Sequence, residues 1–237
     1  MQFKMIYLAK RNPAVSEEDW PRTWRSHAKF SSQFPSIGGA ISSLSYCSRI
    51  FHPIVEGAPL DPPGADREHD GVAVVAADSP EALQGQLSPD DRERIFADER
   101  RVFQTLTPNF TFHCQEVMAW GGAPGQAAVI RFLKRKPGLT SEAFADRWNR
   151  DHAHIATRVA GVSRTVVRHV HNSPIAPPPP AYPIDGISET WFASGEDAAR
   201  SLADEQFSQV GQDLAEFCDM ERSITMLTEV IYRWPRV

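Results

Sequence analysis

The chain repeats itself, and that constrains its fold more than any single motif. Displaced by 124 positions, Ile6-Tyr7-Leu8-Ala9-Lys10-Arg11-Asn12-Pro13 lies over Ile130-Arg131-Phe132-Leu133-Lys134-Arg135-Lys136-Pro137. The match runs on without a gap, with Ser16 over Thr140, Glu18 over Glu142, Trp20 over Phe144 and Trp24 over Trp148. A histidine follows in both copies, His27 and His152, with one extra residue in the second copy between tryptophan and histidine. Later landmarks keep the same order: Asp70-Gly71-Val72 matches Asp185-Gly186-Ile187, and Glu116-Val117 before Trp120 matches Glu229-Val230 before Trp234. A period this long marks a duplicated domain, since solenoid units are shorter and more numerous. The 237 residues therefore divide into modules 1–120 and 127–237, joined by a Gly/Pro-rich linker at 121–126.

Each copy reads as the same run of elements. Apolar runs at Phe3–Ala9 and Ala127–Leu133 predict buried first strands. A helix follows, capped by Ser16 in one copy and by Thr140 or Ser141 in the other. Glu17, Glu18 and Asp19 suit a helix first turn, whereas Pro21 sits awkwardly there and points to a different start. Second strands are expected over Ala40–Phe51 and Arg164–His171, and third strands over Asp70–Ala76 and Gly186–Phe192. Between them lie two proline-rich excursions, Pro53–Gly64 and Pro174–Pro183. Long helical regions, Pro80–Thr107 and Glu196–Ser223, precede the last strands at Thr111–Trp120 and Ile224–Trp234. The order β-α-β-β-α-β is the ferredoxin-like arrangement, an antiparallel sheet with both helices on one face. The bare face needs a cover. The neighbouring copy supplies it, so the expected fold is α+β, two ferredoxin-like modules forming a pseudo-dimeric α/β barrel. Pairing of two chains into a homodimer stays open.

The second copy carries Lys134-Arg135-Lys136-Pro137-Gly138-Leu139-Thr140, then Phe144, Trp148 and His152-Ala153, and later Asp185-Gly186-Ile187-Ser188-Glu189-Thr190-Trp191-Phe192. These segments resemble the EthD family of dimeric α/β-barrel proteins over nearly all of 127–237. The likeness is weaker over 3–120, where Trp24-Arg25-Ser26-His27-Ala28 and Asp70-Gly71-Val72 remain. The resemblance implies a fold group that includes cofactor-free isomerases, cyclases and dehydratases, besides accessory proteins of small-molecule breakdown. Fold likeness leaves the reaction open.

Chemistry-bearing residues gather on the helix after the first strand. Phe144, Trp148 and His152 are spaced four and four, and Trp20, Trp24 and His27 four and three. Each imidazole thus shares a helical stripe with aromatics and faces the sheet. Imidazole titrates near neutrality, so His152 and His27 are candidate general bases. Lys134 could steady an oxyanion, although a turn lysine is usually solvated. His169 and His171 alternate along a strand and share one face, and with Trp148, Trp191, Trp24 and Asp185 they are candidate substrate contacts. Core packing would equally explain the tryptophans. Asp185 or Glu189 could orient His152. The paired histidines occur only in the second copy, which favours it as the working half. A three-histidine metal site lacks a carboxylate at metal spacing, so no metal and no cofactor is expected.

Other classes have no support. A formal charge of −5 with no basic block gives nucleic acid no footprint. No apolar stretch approaches a membrane span, and the three cysteines, Cys47, Cys114 and Cys218, lie far apart, as in a reducing cytoplasm. Nucleotide-loop, GxSxG and HExxH motifs are missing. The expectation is a cytoplasmic, cofactor-independent acid–base enzyme, of lyase or isomerase type, for a small aromatic or enolisable carbonyl compound. A non-catalytic small-molecule-binding or accessory protein is the alternative.

Overall fold

The structure, a computed structural model, describes residues 2–60, 64–83 and 87–235. Residues 61–63 of the first proline-rich excursion and 84–86 of the first long helical region lie outside the described residues.

The first half runs β1 (Phe3–Ala9), α1 (Trp20–Ser31), β2 (Ser43–Arg49), β3 (Gly71–Ala77), α2 (Pro89–Val102) and β4 (Thr111–Gly121). The second runs β5 (Ala127–Leu133), α3 (Ser141–Asp146), a π-helical turn (Arg147–His152), α4 (Ala153–Val162), β6 (Val166–Pro174), β7 (Gly186–Phe192), α5 (Gly195–Ala203), α6 (Glu205–Phe217) and β8 (Ile224–Trp234). The eight long strands close into one antiparallel barrel in the order β1-β3-β2-β8-β5-β7-β6-β4. Each half contributes four consecutive strands, and the seams are β2 against β8 and β6 against β4. Closure leaves no sheet edge, which removes the unpaired N–H and C=O rows of an open sheet.

Strands β3, β5 and β7 are covered on both faces and buried at every position. Ile6, Leu8, Val72, Val74, Phe112, Ile130, Phe132 and Met226 fill the barrel. Alternate residues point outward, so Ala73, Val75 and Tyr46 meet Trp20, Trp24 and Phe103 from the helical layer. Lys4 is buried inside the barrel between Glu116 and Glu189, at 2.9 Å from each. Glu189 also accepts from Asn172 Nδ2 at 2.8 Å and Trp191 Nε1 at 2.9 Å. This network spans β1, β4, β6 and β7 and so locks one seam between the halves. Its charges are tolerable in the core only because each is paired and hydrogen-bonded.

Helix starts follow local chemistry. α1 begins at Trp20, so Pro21 falls in its first turn, where no intrahelical N–H bond is lost. Glu17, Glu18 and Asp19 therefore precede the helix, and Ser16 Oγ accepts instead from Asp19 N at 3.1 Å in the turn before it. Thr140 caps α3 through Ala143 N at 3.1 Å. Both long helical regions are shorter than expected. The second breaks at Asp204 between α5 and α6, and the first divides into a short helix at Pro80–Leu83 and α2, which starts at Pro89 after a Ser88 cap.

The extra residue of the second copy has a structural answer. Trp148 and His152 lie in the π turn, whose wider ring absorbs one residue and returns the following helix to register. His152 consequently occupies the place of His27.

Candidate functional site

Two histidine–aspartate pairs stand at equivalent places, each between a helix and the outer face of the barrel. His27 Nδ1 lies 2.7 Å from Asp98 Oδ2 on α2, and His152 Nδ1 lies 2.7 Å from Asp213 Oδ2 on α6. An arginine steadies each carboxylate: Arg101 donates to Asp98 Oδ1 at 2.8 Å, and Arg147 pairs with Asp213. Burial works to raise the Asp98 carboxyl, but the bonds from His27 and Arg101 outweigh it and hold it below the usual range. An ionised partner fixes Nδ1–H as donor and leaves Nε2 to act as base.

The tryptophan stripes are equivalent too. Trp24 stacks on Tyr46 with centroids 4.7 Å apart, and Trp148 on His171 at 4.3 Å. A glycine admits each indole. A Cβ on Gly71 would stand 2.3 Å from Trp24 Cζ3, and one on Gly186 2.4 Å from Trp148 Cζ3. The strand registers make the same correspondence. Tyr46 faces Ala73 and Leu44 faces Val75, as His171 faces Ser188 and His169 faces Thr190.

The two surroundings differ in character. In the first half a cavity of about 550 Å³ opens between α1, α2 and the sheet. His27, Ser31, Tyr7, Tyr46, Ile95 and Glu99 line it, and Tyr232 and Trp234 reach it from the other half. Among the described residues, the hydrogen-bonding neighbour of His27 Nε2 is the distant Ser31 Oγ, at 3.5 Å. Burial first, and then the nearby Glu99, pushes the Tyr46 phenol up, and burial does the same to Tyr7, so both stay protonated donors. Glu99 is tied down by Thr107, whose N donates at 3.0 Å and whose Oγ1 donates at 2.6 Å.

The equivalent place in the second half is filled by imidazoles. His169 and His171 meet Nε2 to Nε2 at 3.1 Å, His169 Nδ1 is 2.9 Å from Thr190 Oγ1, and His171 Nδ1 is 3.3 Å from Asn149 Oδ1. Burial pushes His169 down to about 3 and moves His171 and His152 the same way, so all three favour the neutral form. Among the described residues, no group of three or more His, Cys, Asp and Glu is placed to hold a metal ion. The cavity between α1, α2 and the sheet thus lies beside His27, and His152, His169 and His171 do not line it.

Other sequence candidates sit elsewhere. Lys134 and Asp185 pair with each other at 3.0 Å, and Asp185 also accepts from Arg135 N at 3.0 Å and binds its guanidinium. Arg11 and Asp70 repeat this arrangement, so both aspartates pin the turn after the first strand. Asp185 and Glu189 therefore do not orient His152; Asp213 does. Trp191 points into the barrel, on the opposite face from His152. The sequence reading missed Asp98 and Asp213, although each follows the DG landmark, Asp70 or Asp185, by 28 residues.

Comparisons with known proteins bear on the family and the fold. The model of the EthD domain matches residues 12–105 and again 136–221. No curated protein matches the chain at a significant level. Among solved structures, a candidate monooxygenase from Fusobacterium nucleatum superposes with a TM-score of 0.60 at 7% identity, covering 98% of this chain and 93% of that one. An anthrone oxidase-like protein gives 0.59 at 10% identity, with 98% and 91% covered. A candidate monooxygenase from Lactobacillus acidophilus gives 0.57 at 9% identity, with 98% and 94% covered. At such identities the likeness extends to the fold alone.

Proposed function

This chain belongs to the EthD family, and from that premise we propose that its first half carries a cofactor-independent acid–base site for a small aromatic or enolisable carbonyl compound. One observation carries the reading: a carboxylate-anchored imidazole, His27 with Asp98 at 2.7 Å, lines a largely apolar cavity of about 550 Å³. Pockets of this size hold drug-sized or smaller ligands, oriented by a few polar groups. We read residues 1–120 and 127–237 as two ferredoxin-like modules, the second lending Tyr232 and Trp234 to the cavity of the first.

The chemistry follows from the residues. Asp98 holds Nδ1–H, so Nε2 takes a proton from the carbon beside the carbonyl. The C–H electron pair forms the new C=C bond and the carbonyl π pair moves onto oxygen, where the neutral phenols of Tyr46 or Tyr7 donate to the developing enolate. Return of the proton to another carbon gives an isomerase. Expulsion of a β-hydroxyl with that proton gives water and an unsaturated product, a lyase. His152–Asp213 is the second such pair, and neither residue lines the cavity beside His27.

Both outcomes share the first proton transfer, so the test reads that step. 2-Tetralone, an aromatic-fused ketone, is incubated with protein in D2O and its acidic C–H signals are followed by NMR. Wild type accelerates exchange, His27→Ala abolishes the acceleration, and Asp98→Asn lowers it by about 10- to 1000-fold. Binding of 2-tetralone without faster exchange would favour the small-molecule-binding alternative and sink the catalytic reading.

A further inference from the structure

We infer that a second cavity, at the seam of β2 and β8, binds a small monocarboxylate with an apolar body, held by Arg49. The cavity measures about 460 Å³. β2 ends in Arg49. The excursion after it turns through a short hairpin, Ile54–Val55 on Ala58–Pro59, and Asp66 N then donates to Thr225 O of β8 at 2.6 Å. Ile50, Phe51, Pro53, Pro59, Leu60 and Leu227 give the cavity apolar walls, and Arg49 lines it beside them. It shares no lining residue with the cavity beside His27, so this site is independent of that reading.

The protein itself makes little use of Arg49. Its side chain is 11% exposed, and its Nε is buried without a hydrogen-bond partner. Its carboxylate neighbours among the described residues, Glu17 Oε1 and Asp70 Oδ1, both stand 3.8 Å from Nη2, beyond hydrogen-bond range. Asp70 is already bound to the Arg11 guanidinium and accepts from Arg11 N at 2.8 Å. Glu17 is half-exposed and lies nearer to Arg11, at 3.5 Å. The Arg49 guanidinium lies instead over Phe51, with Cζ 4.4 Å from the ring centroid, against a wall of the cavity. A guanidinium has five N–H donors and stays charged, so leaving it this short of acceptors is costly. The turn does not require that cost. The second half makes the same clip, Arg135 on Asp185, and has Pro174 where Arg49 stands, counting three residues on from the matched His171 and Tyr46.

A carboxylate supplies the missing acceptors. Its two oxygens match a guanidinium in two parallel hydrogen bonds. The apolar walls suit a hydrocarbon or aryl body. Glu17, screened by water, holds its place near Nη2 only weakly and can yield it. A second negative charge on the ligand is unfavourable, because Glu17 and Asp66 both line the cavity. The site therefore selects a monocarboxylate over a phosphate dianion.

Isothermal titration calorimetry with benzoate, benzamide and inorganic phosphate tests it. Wild type binds one equivalent of benzoate, and binds benzamide and phosphate at least about tenfold more weakly. Arg49→Gln weakens benzoate binding at least about tenfold. Leu60→Glu, which sets a carboxylate into a partly buried wall position, does the same, and His27→Ala changes nothing. Thermal melting separates binding from a structural role: saturating benzoate raises the melting temperature of wild type and His27→Ala alike, and leaves that of Arg49→Gln and Leu60→Glu unmoved. Should Arg49→Gln fail to fold, Leu60→Glu decides. Absence of benzoate binding to wild type, a smaller loss in Leu60→Glu or in folded Arg49→Gln, benzamide or phosphate bound as tightly as benzoate, or loss of binding in His27→Ala would each overturn the assignment.

Discussion

Acid should weaken this protein through its imidazole stack, and a transplant between its own halves should cure it. His169 is pushed by burial to about 3, and His171 is lowered the same way. In the unfolded chain both titrate near 6.5. Below that pH the unfolded chain binds more protons than the folded one, so stability falls as pH falls from about 6.5 toward about 3. For His169 that costs about 1.4 kcal/mol per pH unit in that window, or about 2 kcal/mol between pH 6.5 and 5. His171 adds a loss of the same sign, so the stack removes a sizeable share of the 5–15 kcal/mol typical of a domain. The first half shows what neutral substitutes look like, since Leu44 and Tyr46 occupy the corresponding positions. The double variant His169→Leu/His171→Tyr should therefore keep the fold and lose most of this acid slope. Urea unfolding at several pH values between 7 and 5 gives the slopes directly. Comparing slopes removes any constant cost of fitting the larger ring, which overpacking could set at about 1–3 kcal/mol. Equal slopes in wild type and variant would refute the reasoning, because the two buried imidazoles would then not be the groups that resist protonation.

Three further outcomes follow from contacts already described. Gly186→Ala puts a methyl 2.4 Å from Trp148 Cζ3, and should cost about 1–3 kcal/mol in chemical denaturation, as should Gly71→Ala under Trp24. Lys4→Met leaves the buried carboxylate of Glu189 without its cation and should destabilise by about 3–5 kcal/mol, also by denaturation. Cys47 and Cys218 are raised by burial to about 12 and Cys114 in the same direction, so none should react with iodoacetamide at pH 8 until the protein unfolds, as mass spectrometry would show.

The sequence made the architecture legible because duplication doubles every signal. Two copies of an apolar run, a Trp-to-His helix stripe and a DG strand left little freedom in element order, and the barrel follows from sheets that need a second face. Boundaries were less legible where local chemistry competes. Pro21 moved α1 past its acidic residues, and the expected long helix of the second copy splits at Asp204. The site was legible in part. His27 and His152 both face inward as their spacing implies, but their partners come from a helix more than sixty residues away, which periodicity cannot pair. Lys134 and Asp185 read as chemistry because charged residues at a strand end resemble a site, whereas they satisfy each other in a turn. The alternating His169 and His171 share one face, as their spacing implies, at the positions that Leu44 and Tyr46 hold in the first half.

The reading of the first half is tested most directly by a crystal structure with 2-tetralone bound. The ketone should lie between α1 and the sheet, its acidic carbon within reach of His27 Nε2 and its carbonyl oxygen toward Tyr46 or Tyr7. Ligand lodged against His152 in the second half, or a first cavity that stays empty at saturating ketone, would contradict it.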